Sequence, residues 1–258
     1  MLLERDGPLE ALLATARSAA AGRGGTVLLE GEAGIGKTSL LQEFVERAGE
    51  GCRVLWGWCE ALFTPRPLGP LQDMAQSLDP QVAALLDQAA APERLFPALL
   101  NALQQAEGTT VLVFEDVHWA DNATLDLIKY LGRRVSVLRT MLVLSARSDE
   151  IGADHPLTHV RGDLPSGSVT RIRLEPLSSA AVTMLAEQAG RSGADLSNFR
   201  GHAPGVSQGL WNVKGFFCSR SSAWPPKAPG KNAVAKIDGG PLDDLSGLVV
   251  DELETSVS

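Results

Sequence analysis

Nine consecutive residues carry the densest chemical signal: Gly31, Glu32, Ala33, Gly34, Ile35, Gly36, Lys37, Thr38 and Ser39. The spacing is Gly-x4-Gly-Lys-Thr. Glycines at 31, 34 and 36 let the backbone take dihedrals closed to other residues and come close to a ligand. The amides of such a loop, and of the first turn of a helix behind it, converge beside the positive end of the helix dipole. Lys37 is then expected at the β- and γ-phosphates of a nucleotide, and the Thr38 hydroxyl in the shell of a Mg²⁺ ion. The plain alternative is a glycine-rich turn before an ordinary helix. No G-x-G-x-x-G occurs at this turn, which argues against a Rossmann dinucleotide site.

A second group supplies what a magnesium-dependent nucleotide hydrolase needs downstream of such a loop. Glu115 and Asp116 end an apolar run, so one acid can fix Mg²⁺ while its neighbour orients and deprotonates the attacking water. By position Glu115 is assigned to the metal and Asp116 to the water, with the reverse order left open; capping of the next loop is the plain alternative. Arg147 closes an adjoining apolar run and is expected at the same sheet edge, as a γ-phosphate contact or as a surface ion pair. His118 beside Trp119 is more often packing than chemistry. Arg133 and Arg134 are candidates for an arginine supplied across a subunit interface, or for charge compensation at a helix end.

Elements must position these groups. Val27-Leu28-Leu29 reads as a buried strand feeding the loop, and Leu40, Leu41, Phe44, Val45 and Ala48 recur at helical spacing behind it. That strand–loop–helix order is the context in which the motif has meaning. A helix is predicted over residues 6–21, capped by Asp6, and strands at Arg53–Cys59, Thr110–Phe114, Met141–Ser145 and Val169–Leu174. Residues 60–108 read as helical, broken by Pro65, Pro67, Pro70, Pro80, Pro92 and Pro97, with a helix start at Asp79-Pro80. Asp121 caps a helix bearing Leu125, Ile128 and Leu131, and Ser178 caps one ending near Gly190.

Composition sets the outer limits. The chain has 258 residues, 44% hydrophobic and 21% charged, which is ordinary for a globular protein with a real core. A formal charge of −8 lacks the basic footprint of a general nucleic-acid binder. Cys52, Cys59 and Cys218 are too few and scattered for a disulfide framework, and they lack metal-ligand spacing. No apolar run approaches a membrane span and no signal-peptide pattern opens the chain, so a cytoplasmic location is expected.

Four segments in this order, LLERDGPLEALL, GEAGIGKTSLL, VLVFEDVHWAD and LVLSARSDE, resemble the N-terminal ATPase module of large LuxR-type bacterial transcriptional regulators. Those regulators belong to the signal-transducing STAND branch of AAA-like P-loop ATPases. The resemblance spans roughly residues 1–195, and HWAD after the acidic pair is its most specific part. It implies an α/β P-loop NTPase, a three-layer sandwich with a five-stranded parallel sheet in order 5-1-4-3-2, and a partial helical lid. Residues 1–176 would form the core and 177–195 the start of the lid. It also implies Walker A roles for Gly31, Gly34, Gly36, Lys37 and Thr38. Glu115 and Asp116 become the Walker B acids and Arg147 the terminal-phosphate sensor. Beyond Leu196 the pattern breaks, and Arg200 to Gly205 does not match the lid turn. Residues 196–258 read as a weakly structured, atypical tail with a short acidic helix near its end, as in a truncated or frame-displaced product.

The reading that follows is an ATP- and Mg²⁺-binding switch module that hydrolyses slowly and lacks a DNA-binding output domain. ATP is preferred over GTP because no N/T-K-x-D guanine-reading pattern is evident and the resemblance favours ATP. ATP and ADP are the expected ligands, self-association through the ATPase domain the expected assembly, and neither membrane nor direct DNA contact is expected. Competing readings are an active AAA-type remodelling ATPase, a P-loop kinase, and a degenerate fragment that binds nucleotide poorly.

Overall fold

The computed structural model describes residues 2–49 and 51–188. Contacts divide the chain into two units, residues 1–216 and 217–258, and the described residues all lie in the first. The expectations for the tail after Leu196, for its acidic helix, for Cys218 and for the Gly190 helix stop fall outside the described residues.

Five parallel strands form one sheet: β1 (Gly25–Gly31), β2 (Cys52–Trp58), β3 (Thr109–Glu115), β4 (Thr140–Arg147) and β5 (Val169–Arg173). Their order is β2-β3-β4-β1-β5, the predicted order read from the other edge. The inner strands β3 and β4 are buried almost throughout, as continuous apolar runs must be when helices cover both faces. The edge strand β5 alternates instead, with Ile172 turned inward.

Strand alternation divides the core between two faces. Leu28, Leu55, Leu112, Phe114, Leu142 and Leu144 meet the helices inserted between β2 and β5. These are α3 (Gly69–Asp73), α4 (Pro80–Asp87), α5 (Pro92–Gln105), α6 (Asn122–Gly132) and α7 (Pro156–Asp163). The odd-numbered set Val27, Leu29, Val111, Val113, Met141 and Val143 faces the other way, towards α1 (Asp6–Ala20) and α2 (Lys37–Ala48), which pack together. A final helix, α8 (Ser179–Gln188), follows β5, and Ser178 Oγ accepts the Ala181 N–H at 3.2 Å as predicted for its cap.

Several local expectations need correction. Asp6 is the first residue of α1 rather than its cap; Arg5 holds the cap position without a side-chain bond. Pro97 does not break α5, which runs through it from Pro92 to Gln105. One backbone donor near the helix start is lost there, while buried Leu95, Phe96, Leu99 and Leu103 hold the helix to the core. Helix α7 has no counterpart in the sequence reading. Its eight residues are started by Pro156 and capped by His155, whose Nδ1 accepts the Leu157 N–H at 3.1 Å. Histidine is an uncommon cap, so the usual start signal is missing.

Candidate functional site

The loop from Glu32 to Gly36 leaves the carboxyl edge of β1 and turns into α2 at Lys37. Gly34 and Gly36 have φ of +75° and +99°, dihedrals that only glycine takes without strain. A Cβ at either would meet no protein atom within 4 Å, so both face open space. Gly31 has a different reason to be glycine: a Cβ there would lie 2.9 Å from Ile35 Cγ2 and 3.2 Å from Leu174 O. Among the described residues, the one backbone bond inside the loop is the long Ile35 N–H to Glu32 O contact at 3.4 Å. The loop's amides are thus not consumed by the loop itself.

Lys37 is buried at the start of α2, and its ammonium donates to Gly31 O at 2.8 Å and Glu32 O at 3.0 Å. Thr38 Oγ1, one residue on, donates to Glu115 Oε1 at 2.7 Å. That bond joins the loop to the end of β3 across 77 residues of chain. Glu115 is 3% exposed, and its other oxygen accepts Trp58 Nε1–H at 2.7 Å and Trp56 Nε1–H at 3.3 Å. Burial pushes the Glu115 carboxyl above its ordinary range, the Thr38 and tryptophan donors oppose this, and the charge of Asp116 adds to it.

Asp116 is the first residue off the strand and is half-buried. Its φ of +54° and ψ of +44° place it in the left-handed region, where aspartate is among the few tolerated side chains, and its N–H is held by Ser145 Oγ at 3.1 Å. The Glu115–Asp116 pair therefore splits: one carboxylate lies inward against α2, and the next sits on a strained turn, the kind of outlier that clusters at functional sites.

The sheet brings Arg147 to the same edge, paired in register with Gly31. Its guanidinium is engaged by Glu150 Oε1 at 2.5 Å and lies 4.6 Å from the centre of the Trp119 ring. Trp119 Nε1–H also donates to Glu150, at 3.0 Å. The His118 side chain is inaccessible; its Nδ1 accepts the Arg147 N–H at 3.4 Å and its Nε2 lies 3.5 Å from Glu150 Oε2. Burial lowers its pKa, partly offset by the charges of Asp116 and Glu150. His155 ties in from α7 through Nε2 to His118 O at 3.0 Å.

Asp121 completes this scaffold. Its Oδ1 accepts from Ala123 N–H (2.9 Å) and Thr124 N–H (3.1 Å), and its Oδ2 from the Leu68 N–H at 3.2 Å and from the Thr124 hydroxyl. The His118-Trp119-Ala120-Asp121 segment thus joins β3, β4, α6 and the long insertion. Arg133 and Arg134 lie at the far end of α6, towards the amino edge of the sheet. Arg133 contacts Asp163, and Arg134 donates to Tyr130 O at 2.9 Å while stacking on that ring.

Two sets of site residues were not singled out from sequence. Trp56 and Trp58 read as ordinary strand formers, and only the β2–β3 register puts them beside Glu115. Buried Arg5 donates to Ile35 O at 3.3 Å and Glu175 O at 3.0 Å, fastening the loop to the exit of β5. Its burial has no local sequence signal, because its partners are 30 and 170 residues away.

The donors present suit Mg²⁺ in one respect: the Thr38 hydroxyl and the Glu115 carboxylate meet at one point and are both hard oxygen ligands. Among the described residues no cluster of three or more His, Cys, Asp or Glu forms a protein cage. No described helix is long and apolar enough to cross a membrane.

An uncharacterized protein of Rhizobium meliloti (strain 1021) is 27% identical over 62% of this chain and 19% of its own length. Aeropyrum pernix ORC1, solved in complex with DNA, superposes with a TM-score of 0.55 at 17% identity, covering 74% of this chain and 50% of that one. Pyrobaculum aerophilum Cdc6p gives a TM-score of 0.52 at 16% identity with the same coverages. At these identities the two structures share the fold, and this chain spans half the length of theirs. A family model described as an AAA ATPase domain matches residues 1–144, more than half of the sequence. The chain belongs to the AAA ATPase domain family.

Proposed function

We propose that the chain binds ATP with Mg²⁺ and works as a slowly hydrolysing nucleotide switch of the STAND type. The observation that carries this reading is the 2.7 Å bond between Thr38 and Glu115. It joins the glycine loop and the acidic strand end at one point, where a metal and a terminal phosphate would need both. The loop amides around Gly34 and Gly36 cradle the phosphates, and the Lys37 ammonium turns from its carbonyls to the β- and γ-oxygens. Thr38 and Glu115 would hold Mg²⁺, which would supply charge neutralisation there. Asp116 orients the attacking water and accepts its proton.

Switching requires that ATP and ADP stabilise different arrangements, since equal affinity shifts nothing. Arg147 is suited to tell them apart. Glu150 and Trp119 now engage it, and a γ-phosphate at the same edge would compete for its guanidinium. The regulatory setting, as an ATPase module of a LuxR-type regulator, rests on the sequence resemblance. DNA contact, as in Aeropyrum ORC1, is not extended to this chain, whose formal charge is −8.

Titration of labelled ATP and GTP, with and without Mg²⁺, tests the reading alongside Lys37→Met, which keeps the buried stem and deletes the charge. ATP should bind more tightly than GTP, with Mg²⁺ strengthening binding. Loss of a charged hydrogen bond of about 1.5–3 kcal/mol should weaken it at least ~tenfold in the variant. Equal binding by wild type and variant would overturn the assignment.

A further inference from the structure

Two tryptophans on the edge strand have partners that ordinary packing does not require. In the parallel register of β2 and β3, Trp56 lies opposite Val113 and Trp58 opposite Glu115. Alternation along both strands puts Trp56, Trp58 and Glu115 on the face covered by α2. Between the two tryptophans, Gly57 turns to the opposite face, where a Cβ would lie 2.1 Å from Pro70 O. Helix α3 is thus seated against the back of β2 at the point where the front must hold its aim. Trp56 is buried, Trp58 is half-buried, and their ring centres are 6.2 Å apart.

An indole N–H can only donate, and a carboxylate oxygen offers two lone pairs. Both indoles donate to the same atom, Glu115 Oε2, at 2.7 Å and 3.3 Å. Its acceptor capacity is filled. The other oxygen, Oε1, takes one bond from Thr38 at 2.7 Å and keeps one lone pair. We infer that Trp56 and Trp58 are positioning residues, a paired-indole clamp that turns the Glu115 carboxylate so that Oε1, beside Thr38, faces the Mg²⁺ of a bound nucleotide. The inference rests on the Mg²⁺·ATP reading above and adds to it the residues that set the geometry of the metal-facing acid. Neither tryptophan touches nucleotide; both act through Glu115.

The test separates the clamp from a packing role. Trp58→Phe keeps an aromatic ring in the strand and deletes the donor. Labelled ATP is titrated into wild type, Trp58→Phe, Trp56→Phe and Lys37→Met, each in excess Mg²⁺ and in EDTA, with thermal melts as a check on folding. In EDTA the tryptophan variants should bind like wild type. In Mg²⁺ the gain that the metal gives should fall by about tenfold in Trp58→Phe, the loss expected for one charge-assisted hydrogen bond. Trp56→Phe, which loses the longer bond, should show the same effect at smaller amplitude, and it serves as the test if Trp58→Phe does not fold. An undiminished Mg²⁺ gain, or equal losses in both buffers, would overturn the clamp. Failure of wild type to bind ATP in either buffer, or binding by Lys37→Met at wild-type strength, would instead overturn the nucleotide reading beneath it.

Discussion

Replacing Glu115 with glutamine should make the protein more stable in plain buffer and less responsive to Mg²⁺·ATP. The carboxylate is 3% exposed, and burial is the largest cause holding its pKa above the ordinary range. Below the unfolded-state pKa both forms carry the proton and the residue is neutral to stability. As pH rises past that value the unfolded chain releases the proton first, so stability falls until the folded pKa is passed, and the penalty is then constant. Glutamine never ionises and escapes it. The melting-temperature gain of Glu115→Gln without Mg²⁺ should therefore be larger at pH 8 than at pH 5, by about 2–4 °C for each kcal/mol relieved. Ligand reverses the ranking. At a hundred times Kd, Mg²⁺·ATP would stabilise wild type by about 2.7 kcal/mol, or roughly 5–11 °C. A variant bound tenfold more weakly gains only about 1.4 kcal/mol, or roughly 3–6 °C, at the same concentration. Differential scanning fluorimetry at both pH values, with and without Mg²⁺·ATP, reads all four quantities. A Glu115→Gln variant that melts with wild type at pH 8 and keeps the full ligand shift would refute this account of the buried acid.

Other perturbations probe the surrounding parts. Gly36→Ala forces a side chain into φ of +99° with no protein atom to clash against, so its cost is backbone strain of about 1–2 kcal/mol. Its Cβ would occupy the phosphate cradle, so calorimetry should show ATP affinity falling more than the melting temperature suggests; unchanged affinity would count against the cradle. Arg147→Ala should bring ATP and ADP affinities together, whereas Glu150→Gln, which frees the guanidinium, should widen the ATP preference a few-fold; competition binding decides between them. Gly57→Ala drives a Cβ to 2.1 Å from the Pro70 carbonyl, an overpacking cost of about 1–3 kcal/mol that chemical denaturation should show as a lower midpoint.

The sheet was legible because each parallel strand is a short apolar run, and the chain's punctuation falls between those runs. Thr109–Glu115 and Thr140–Arg147 differ from expectation by one or two residues at their ends. The loop and the two acids were legible because local spacing encodes them. What stayed hidden is non-local. Trp56 and Trp58 look like any aromatic pair in a strand until the register sets them beside Glu115, and Arg5 looks like a surface charge until Ile35 and Glu175 close around it. Helix α7 escaped for a different reason: with eight residues and only Leu157 and Val160 buried, it has too little periodicity to read.

The polar groups at this edge form a set of internal pairs. Lys37 holds two carbonyls, Thr38 holds Glu115, and Arg147 holds Glu150. A triphosphate that entered would exchange these partners rather than meet bare charges, so its affinity would measure the difference between two well-satisfied arrangements. That is why a single hydrogen bond is the right unit for the predicted losses, and full Coulomb energies are not. It would also give the proposed switch a physical basis. In that scheme ADP would take over Lys37, but it lacks the γ-phosphate that would compete for Arg147. The Glu150 ion pair, the Trp119 stack and the His118–His155 link would then be exchanged only when that phosphate is present. The proposed coupling would run through residues 147–157, from the end of β4 to the start of α7. Hydrogen exchange in that segment should therefore differ between the ATP and ADP complexes of wild type and match between those of Arg147→Ala. An ATP–ADP difference that survives in Arg147→Ala would move the sensor elsewhere.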